Sequence, residues 1–236
     1  MTQLKAVAAT LAALTLAHPL HAQDSTDTRP TVAVMFFTDG AIGKEHETLA
    51  PLSGGIADML ITDLSVNEKI RVVERDNLKK LMDEQNLSAG GRVDQETAVK
   101  VGKLLGVHHM IFGGFVTDGR GQMRLDARAV NVETSAIEHV ETVQGKEDDL
   151  MSLIDQLALK MNNGMHLPDL PKTIREASAA EAKRVPFETA MLYSRALAAK
   201  DAGNTNQAVE LLQRSLTTFP DYAPAQRELA KLNGGP

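Results

Sequence analysis

The chain has 236 residues and a formal net charge of -6, with 31 Asp and Glu against 25 Lys and Arg. Because only 3% of the residues are aromatic, and nucleic-acid binding needs clustered cations and stacking rings, the composition argues against a nucleic-acid partner. The chain contains no cysteine, which excludes disulfide bonds and a lipid attached through cysteine.

The segment 1–22 has the pattern of a secretory signal peptide. The single charge of Lys5 comes before a largely apolar run, residues 6–17, and the small residue Ala22 marks the expected cleavage site. This run is shorter than the roughly 20 apolar residues that a membrane-spanning helix needs. We therefore predict a periplasmic mature chain without a membrane span, which begins with a polar, disordered stretch at residues 23–30. The alternative is that the segment forms an N-terminal helix of the mature fold.

The first part of the domain predicted at residues 31–161 alternates strands and helices. TVAVMFF at residues 31–37 and IRVV at residues 70–73 are short apolar runs that predict buried strands. Between them, apolar residues recur at spacings of three and four from Leu52 to Leu64, which predicts an amphipathic helix. A short charged helix is predicted after the second strand.

The second part of this domain is predicted to hold a helix, a strand meander and a last helix. Asp94 is a good N-cap, and Gly106 lies where a left-handed C-terminal cap is expected. Three strands joined by short turns follow (VHHMIFGGFV, MRLDARAVNV and AIEHVETV), and then a helix that ends near residue 161. The predicted order is β-α-β-α-α-β-β-β-α, an α/β (α+β) fold with a mixed sheet of about five strands and helices packed on it.

The C-terminal part of the chain has a different pattern. Asn-Asn-Gly and two later prolines predict a linker with some helix at residues 162–185. Residues 186–233 contain two helical patterns around Gly203 and a shorter third pattern. Together they resemble one tetratricopeptide (TPR) repeat, a small all-α helical hairpin, with a capping helix. The matching positions are Leu192, Ala196, Ala199, Gly203, Ala208, Leu212 and Pro220.

Five segments of the first domain carry a family resemblance: VAVMFF, GGIADMLITDL, IRVVERDNLKKLMDEQNL, AVKVGKLLGVHHMIFGGFV and LDARAVNVETSAIEH. As a set they resemble the CsgG family of bacterial envelope proteins, which is named for the curli secretion channel. Related domains occur in a penicillin-binding-protein activator, in flagellar outer-membrane accessory proteins and in the N-terminal part of TolB. The resemblance implies a domain that works by binding other envelope proteins.

The motif residues of this resemblance are predicted to have structural roles. Glu74 and Arg75 are expected at the end of a strand and the start of a helix, with Arg75 paired to a neighbouring carboxylate. Glu84 and Gln85 end the same motif, and Gly106 ends the helix that comes before the next strand. A lone Glu-Arg pair supplies neither a nucleophile nor a base near neutral pKa, so we do not expect it to be catalytic.

Two features of the channel-forming member of the family are missing. The links after Phe115 (VTDGRGQ) and after Val143 (QGKEDD) are too short for the two long hairpins that this member inserts into the outer membrane. The cysteine that would carry its lipid is absent as well. We therefore do not expect a pore role to carry over.

No catalytic, metal or cofactor site is predicted. His108 and His109 are neighbours on a strand, so their side chains point to opposite faces and cannot chelate together. The GAIGKE segment lacks the spacing of a phosphate-binding loop. We expect a non-enzymatic periplasmic binding protein, scaffold or assembly accessory factor whose partners are other envelope proteins or peptides.

The TPR resemblance implies a face that holds a partner, lined by Tyr193, Leu197 and Lys200. The alternative is that the repeat packs on the first domain or dimerises, because a single repeat cannot bury both of its faces. A second hypothesis for the whole chain is a self-assembling, ring-like structural component at the outer membrane, without membrane-spanning hairpins of its own.

Overall fold

The computed structural model describes residues 27–40, 44–87 and 94–235. The predicted signal peptide, residues 1–22, lies outside this range. The strands are Thr31–Val34 (β1), Thr38–Asp39 (β2), Arg71–Val72 (β3), His109–Thr117 (β4), Gln122–Asn131 (β5) and Ile137–Lys146 (β6). The helices are Lys44–Leu49 (α1), Leu52–Ser65 (α2), Arg75–Glu84 (α3), Gln95–Leu105 (α4), Leu150–Gly164 (α5), Lys172–Ala182 (α6), Phe187–Asp201 (α7), Thr205–Thr218 (α8) and Ala223–Leu232 (α9).

The six strands form one mixed sheet, which confirms the predicted α/β (α+β) fold. Its order is β3-β1-β4-β5-β6, and β2 also pairs with β4. The strands β1, β2 and β3 join parallel ladders, whereas β4, β5 and β6 form the predicted antiparallel meander. Strand β1 covers only the first four residues of the predicted strand, and the separate strand β2 follows it; Val34 lies opposite Ile111, and Thr38 lies opposite Gly114. One extra residue between these two pairs interrupts the strand that was predicted at residues 31–37.

Helices cover both faces of the sheet. On one face, α3 and α4 pack over a cluster that includes Met35 and Phe112. On the other face, α2 and α5 pack over a cluster that includes Val34 and Leu125. The second cluster continues beyond α2 into α7 and α8, so the C-terminal helices share one apolar core with the sheet domain.

The helix α6 lies within residues 162–185, for which a linker with some helix was predicted. It packs on α5, where the hydroxyl of Ser178 donates a 2.8 Å hydrogen bond to Asp155 Oδ1. The helices α7 and α8 form a hairpin across Gly203. The φ of Gly203 is 79°, in the left-handed region that glycine adopts without strain. None of the helices in the described ranges is long and apolar enough to cross a membrane.

Candidate functional site

The interface between α2 and α7 is the centre of the candidate site. The predicted apolar face of α2 packs on the sheet, but Gly55, Ala57 and Ile61 are buried as well. A Cβ atom at Gly55 would lie 1.9 Å from the hydroxyl oxygen of Ser194 on α7. Glycine at this position therefore lets the two helices approach, and α2 is buried on two sides.

Arg75, the first residue of α3, lies inside this interface and is 1% exposed. Its guanidinium donates hydrogen bonds of 2.7 and 3.1 Å to the two carboxylate oxygens of Asp201, at the end of α7. It also bonds Asp76 at 3.2 Å, and its Nε lies 3.7 Å from Asp58 on α2. The ring of Phe36 lies 5.8 Å from the guanidinium carbon. Burial alone would lower the pKa of Arg75, but the bonded carboxylates outweigh it and raise that pKa.

Lys200 makes a second connection between the C-terminal helices and α3. Its ammonium donates to both carboxylate oxygens of Asp76, at 3.0 and 2.8 Å, and to Glu228 on α9. Burial acts to raise the pKa of Asp76, but the hydrogen bond and charge of Lys200 and the charge of Arg75 lower it below its ordinary value. The pair of cations and the carboxylates around them form one network that joins α2, α3, α7 and α9.

Tyr193 makes a third connection, on the face of α7 that meets α2. Its hydroxyl donates a 2.6 Å hydrogen bond to Asp58 Oδ2, and its ring meets that of Tyr222 edge to face at 5.4 Å. Burial raises the pKa of Asp58, although the bond from Tyr193 and the charge of Arg75 oppose the shift. Burial also raises the pKa of the Tyr193 hydroxyl well above its ordinary value.

The structure corrects the prediction that Tyr193, Leu197 and Lys200 line a face open to a partner. Tyr193 and Leu197 are 3% and 2% exposed, and Lys200 is held by carboxylates of the same chain. The apolar face of this hairpin is covered by α2 because the two units share one core. The alternative, that the repeat packs on the first domain, is the arrangement found in the structure.

The other motif residues lie at the ends of helices. Glu74 is the exposed N-cap of α3, and its side chain makes no capping hydrogen bond. Glu84 is the last residue of α3 and Gln85 is its C-cap, and both are exposed. Gly106 ends α4 with φ 66° and ψ 36°, a left-handed cap. Of the five, Arg75 alone enters the interface network.

The sequence reasoning missed the carboxylates that complete the network. Asp58 could have been noticed, because it and Asp63 are the two charged residues of a helix, α2, that is otherwise mostly apolar. Asp201 and Glu228 have no local signal, since they meet the network only when α7 and α9 dock on the first domain.

The arrangement is a set of ion pairs and hydrogen bonds that joins helices, and it is not a metal site. Each charged group of the network is engaged by an opposite charge or a hydroxyl of the same chain. Within the described ranges, no three His, Asp or Glu side chains are placed to hold a metal ion. His108 contacts Thr31 and His109 contacts Glu138, so these neighbouring histidines have separate partners.

Comparison with known proteins finds a family to which the N-terminal part is similar. Residues 15–118 match the family described as "Curli production assembly/transport component CsgG". Two solved structures are similar to part of the chain, the LpoB C-terminal domains from Salmonella enterica and Escherichia coli. Their sequence identities are 14% and 15% and their TM-scores 0.33 and 0.34, and each match covers 52% of this chain and 87% of the other. No curated protein sequence matches the chain.

The family match begins before β1 and ends just beyond β4, so it does not reach the C-terminal helices. The resemblance of residues 186–233 to a TPR repeat therefore stays a prediction, as do the predicted domain boundaries. Over residues 15–118, somewhat less than half of its length, the chain is thus similar to the CsgG family.

Proposed function

We propose that this chain is an exported, non-enzymatic protein of the cell envelope that acts through contacts with other envelope proteins, as a scaffold or assembly accessory factor. The observation that carries the proposal is the match of residues 15–118 to a family of assembly and transport components. The predicted signal peptide at residues 1–22 supports export to the periplasm.

The docked helices support the same proposal. Because Arg75, Lys200 and Tyr193 fix the C-terminal helices to the family domain, the chain presents one composite surface instead of two independent modules. The face of α7 that meets α2 is used within the chain. A partner is therefore expected to contact other surfaces of this composite body.

Crosslinking in living cells followed by mass spectrometry tests the proposal. We expect the full chain to crosslink to envelope proteins. A matched chain that lacks residues 2–22 should stay in the cytoplasm and lose those crosslinks. Equal crosslinks from both chains, or turnover of a substrate by the purified protein, would contradict the proposal.

A second candidate function is self-assembly into a ring-like structural component at the outer membrane. The observation that favours it is the edge strand β6, which pairs only with β5 among the described residues. Val140 on this strand is 56% exposed, and Ile137 is exposed as well. An edge strand with exposed apolar residues can pair with another copy.

Light scattering on the purified mature chain separates the two candidates. Self-assembly predicts a concentration-dependent oligomer that Val140→Lys disrupts. The matched control is Thr217→Lys, an exposed polar position on α8, away from this strand. A monomer at high concentration would remove the ring hypothesis.

A further inference from the structure

A cleft of about 380 Å³ lies between α2, α6 and α9, apart from the network around Arg75. Its lining is mainly apolar and includes Met59, Met151 and Val185. Ile174 on α6 also lines it and is one of the exposed large apolar residues of the chain. An apolar cleft of this size can hold the aliphatic part of a side chain.

Two polar atoms that belong to residues of this lining are shielded from water and have no hydrogen-bond partner among the described residues. They are Oδ2 of Asp63 on α2 and the hydroxyl of Tyr222, just before α9. Tyr222 is 2% exposed. Shielded polar atoms without partners are costly in a folded protein, so this pair is suited to a ligand that donates hydrogen bonds.

The charges around these atoms favour a cationic ligand. Glu181 on α6 lines the same cleft, and Asp155 on α5 lines a narrow pocket that also contains Asp63. Arg227 on α9 lines the cleft too, but no ion pair joins it to Asp63 or Glu181 in the described part of the chain. Burial, followed by the charges of Asp155 and Glu181, raises the pKa of Asp63 to about 8.

We infer that the cleft binds a lysine side chain of a protein partner. The ammonium group would lie between Asp63, Tyr222 and Glu181, with the four-carbon stem along the apolar lining. A lysine fits better than an arginine because the acceptors come from three separate side chains. The compact ammonium has three donors, whereas the planar guanidinium favours a bidentate carboxylate.

This inference rests on the proposed function, since the lysine belongs to an envelope partner. The participation of Asp63 also makes lysine binding depend on pH. The empty site holds a proton on Asp63 at neutral pH, and the arriving ammonium would displace that proton. Affinity for lysine should therefore rise as the pH increases through about 8.

Calorimetric titration of the full mature chain with a blocked Gly-Lys-Gly peptide tests the inference. Norleucine in place of lysine keeps the stem without the charge, and arginine changes the shape of the cation. We expect the norleucine and arginine peptides to bind at least about tenfold more weakly than the lysine peptide. Equal binding of either peptide, or no binding of the lysine peptide, would overturn the inference.

Variants of the cleft complete the test. Asp63→Asn should weaken lysine binding at least about tenfold and remove its rise with pH. Tyr222→Phe should weaken binding while the protein stays folded, since its hydroxyl has no partner in the chain. Glu176→Gln, the same carboxyl-to-amide substitution at a position on α6 outside the cleft, should leave binding unchanged. Wild-type affinity in both cleft variants would overturn the inference.

The outcomes for the cleft and for the proposed function can be told apart. If the lysine peptide fails to bind while crosslinks to envelope proteins persist in cells, the cleft inference is wrong and the proposed function stands. If the crosslinks are absent while the lysine peptide binds, the proposed function is wrong and the cleft recognises lysine in another context.

Discussion

Arg75 and Asp201 are 126 residues apart in the sequence, yet the guanidinium of Arg75 bonds both carboxylate oxygens of Asp201, at 2.7 and 3.1 Å. Arg75 belongs to the motif that resembles the CsgG family, and Asp201 belongs to the C-terminal helices. The motif arginine therefore connects two parts of the chain that the sequence presents as separate units. The role of this arginine is to join the C-terminal helices to the sheet domain.

Arg75→Met should destabilise the protein by roughly 3 kcal/mol, because it leaves buried carboxylates without their cation. Asp58 and Asp201 have side-chain exposures of 17% and 23%, so both lose a shielded partner. Urea denaturation measures the change. Glu74→Gln is the matched control, because Glu74 is adjacent, exposed and makes no capping bond; it should change stability by less than about 0.5 kcal/mol. Equal stability of Arg75→Met and the wild type would contradict this stabilising role of Arg75.

The fold could be predicted from the sequence because its signals are local. Buried strands appear as short apolar runs, and the meander appears as alternation between turns. The small strand β2 could not be predicted, since it depends on where the chain rejoins β4 after one extra residue. The pairing of β2 is determined by the neighbouring strand β4, and the sequence of β2 itself has no periodic pattern that would predict it.

The candidate site could be predicted only in part. The motif indicated that Arg75 would meet a carboxylate, and this pairing is present. The partner-binding face assigned to Tyr193 and Leu197 is covered because α2 carries a second buried face. That face is built from Gly55, Ala57 and Ile61, and the first two are small residues that weaken the apolar pattern on which a sequence prediction depends.

Gly55→Ala should destabilise the protein by about 1–3 kcal/mol, because the added methyl group would overlap Ser194. The clash cannot be relieved by rotating the hydroxyl, since Cβ of Ser194 would also lie 2.6 Å away. Thermal unfolding measures the loss. The matched control is Gly54→Ala, whose methyl group meets Arg75 at an ordinary 3.7 Å. That variant should be as stable as the wild type or up to about 1 kcal/mol more stable, because alanine favours helix.

The two tyrosines that meet edge to face provide a matched pair of substitutions. Tyr193→Phe removes a hydrogen bond to a shielded carboxylate and should cost about 2 kcal/mol. Tyr222→Phe removes a hydroxyl that has no partner among the described residues, and should be neutral or slightly stabilising. Chemical denaturation of both variants measures the difference. Similar losses in the two variants would contradict the assignment of the Tyr193 bond.

Asp63 should make the protein less stable as the pH rises. Its pKa is about 8 in the folded chain against 3.8 for an ordinary aspartate, so between these values the folded state holds a proton that the unfolded state has lost. The stabilisation is fully present below about pH 4 and is lost as the pH increases through about 8. Other groups titrate as well, among them Asp76, whose lowered pKa has the opposite effect at acidic pH.

Comparison of Asp63→Asn with the wild type isolates this contribution. The amide cannot ionise, so the stability of the variant relative to the wild type should increase steadily from about pH 5 to about pH 9. Urea denaturation across that range measures it. Glu176→Gln, an exposed position on α6, should run parallel to the wild type at every pH. Parallel curves for Asp63→Asn would show instead that Asp63 is ionised in the folded protein. Its charge would then need a cation beside it, and Arg227 on α9, which lines the same cleft, is a candidate.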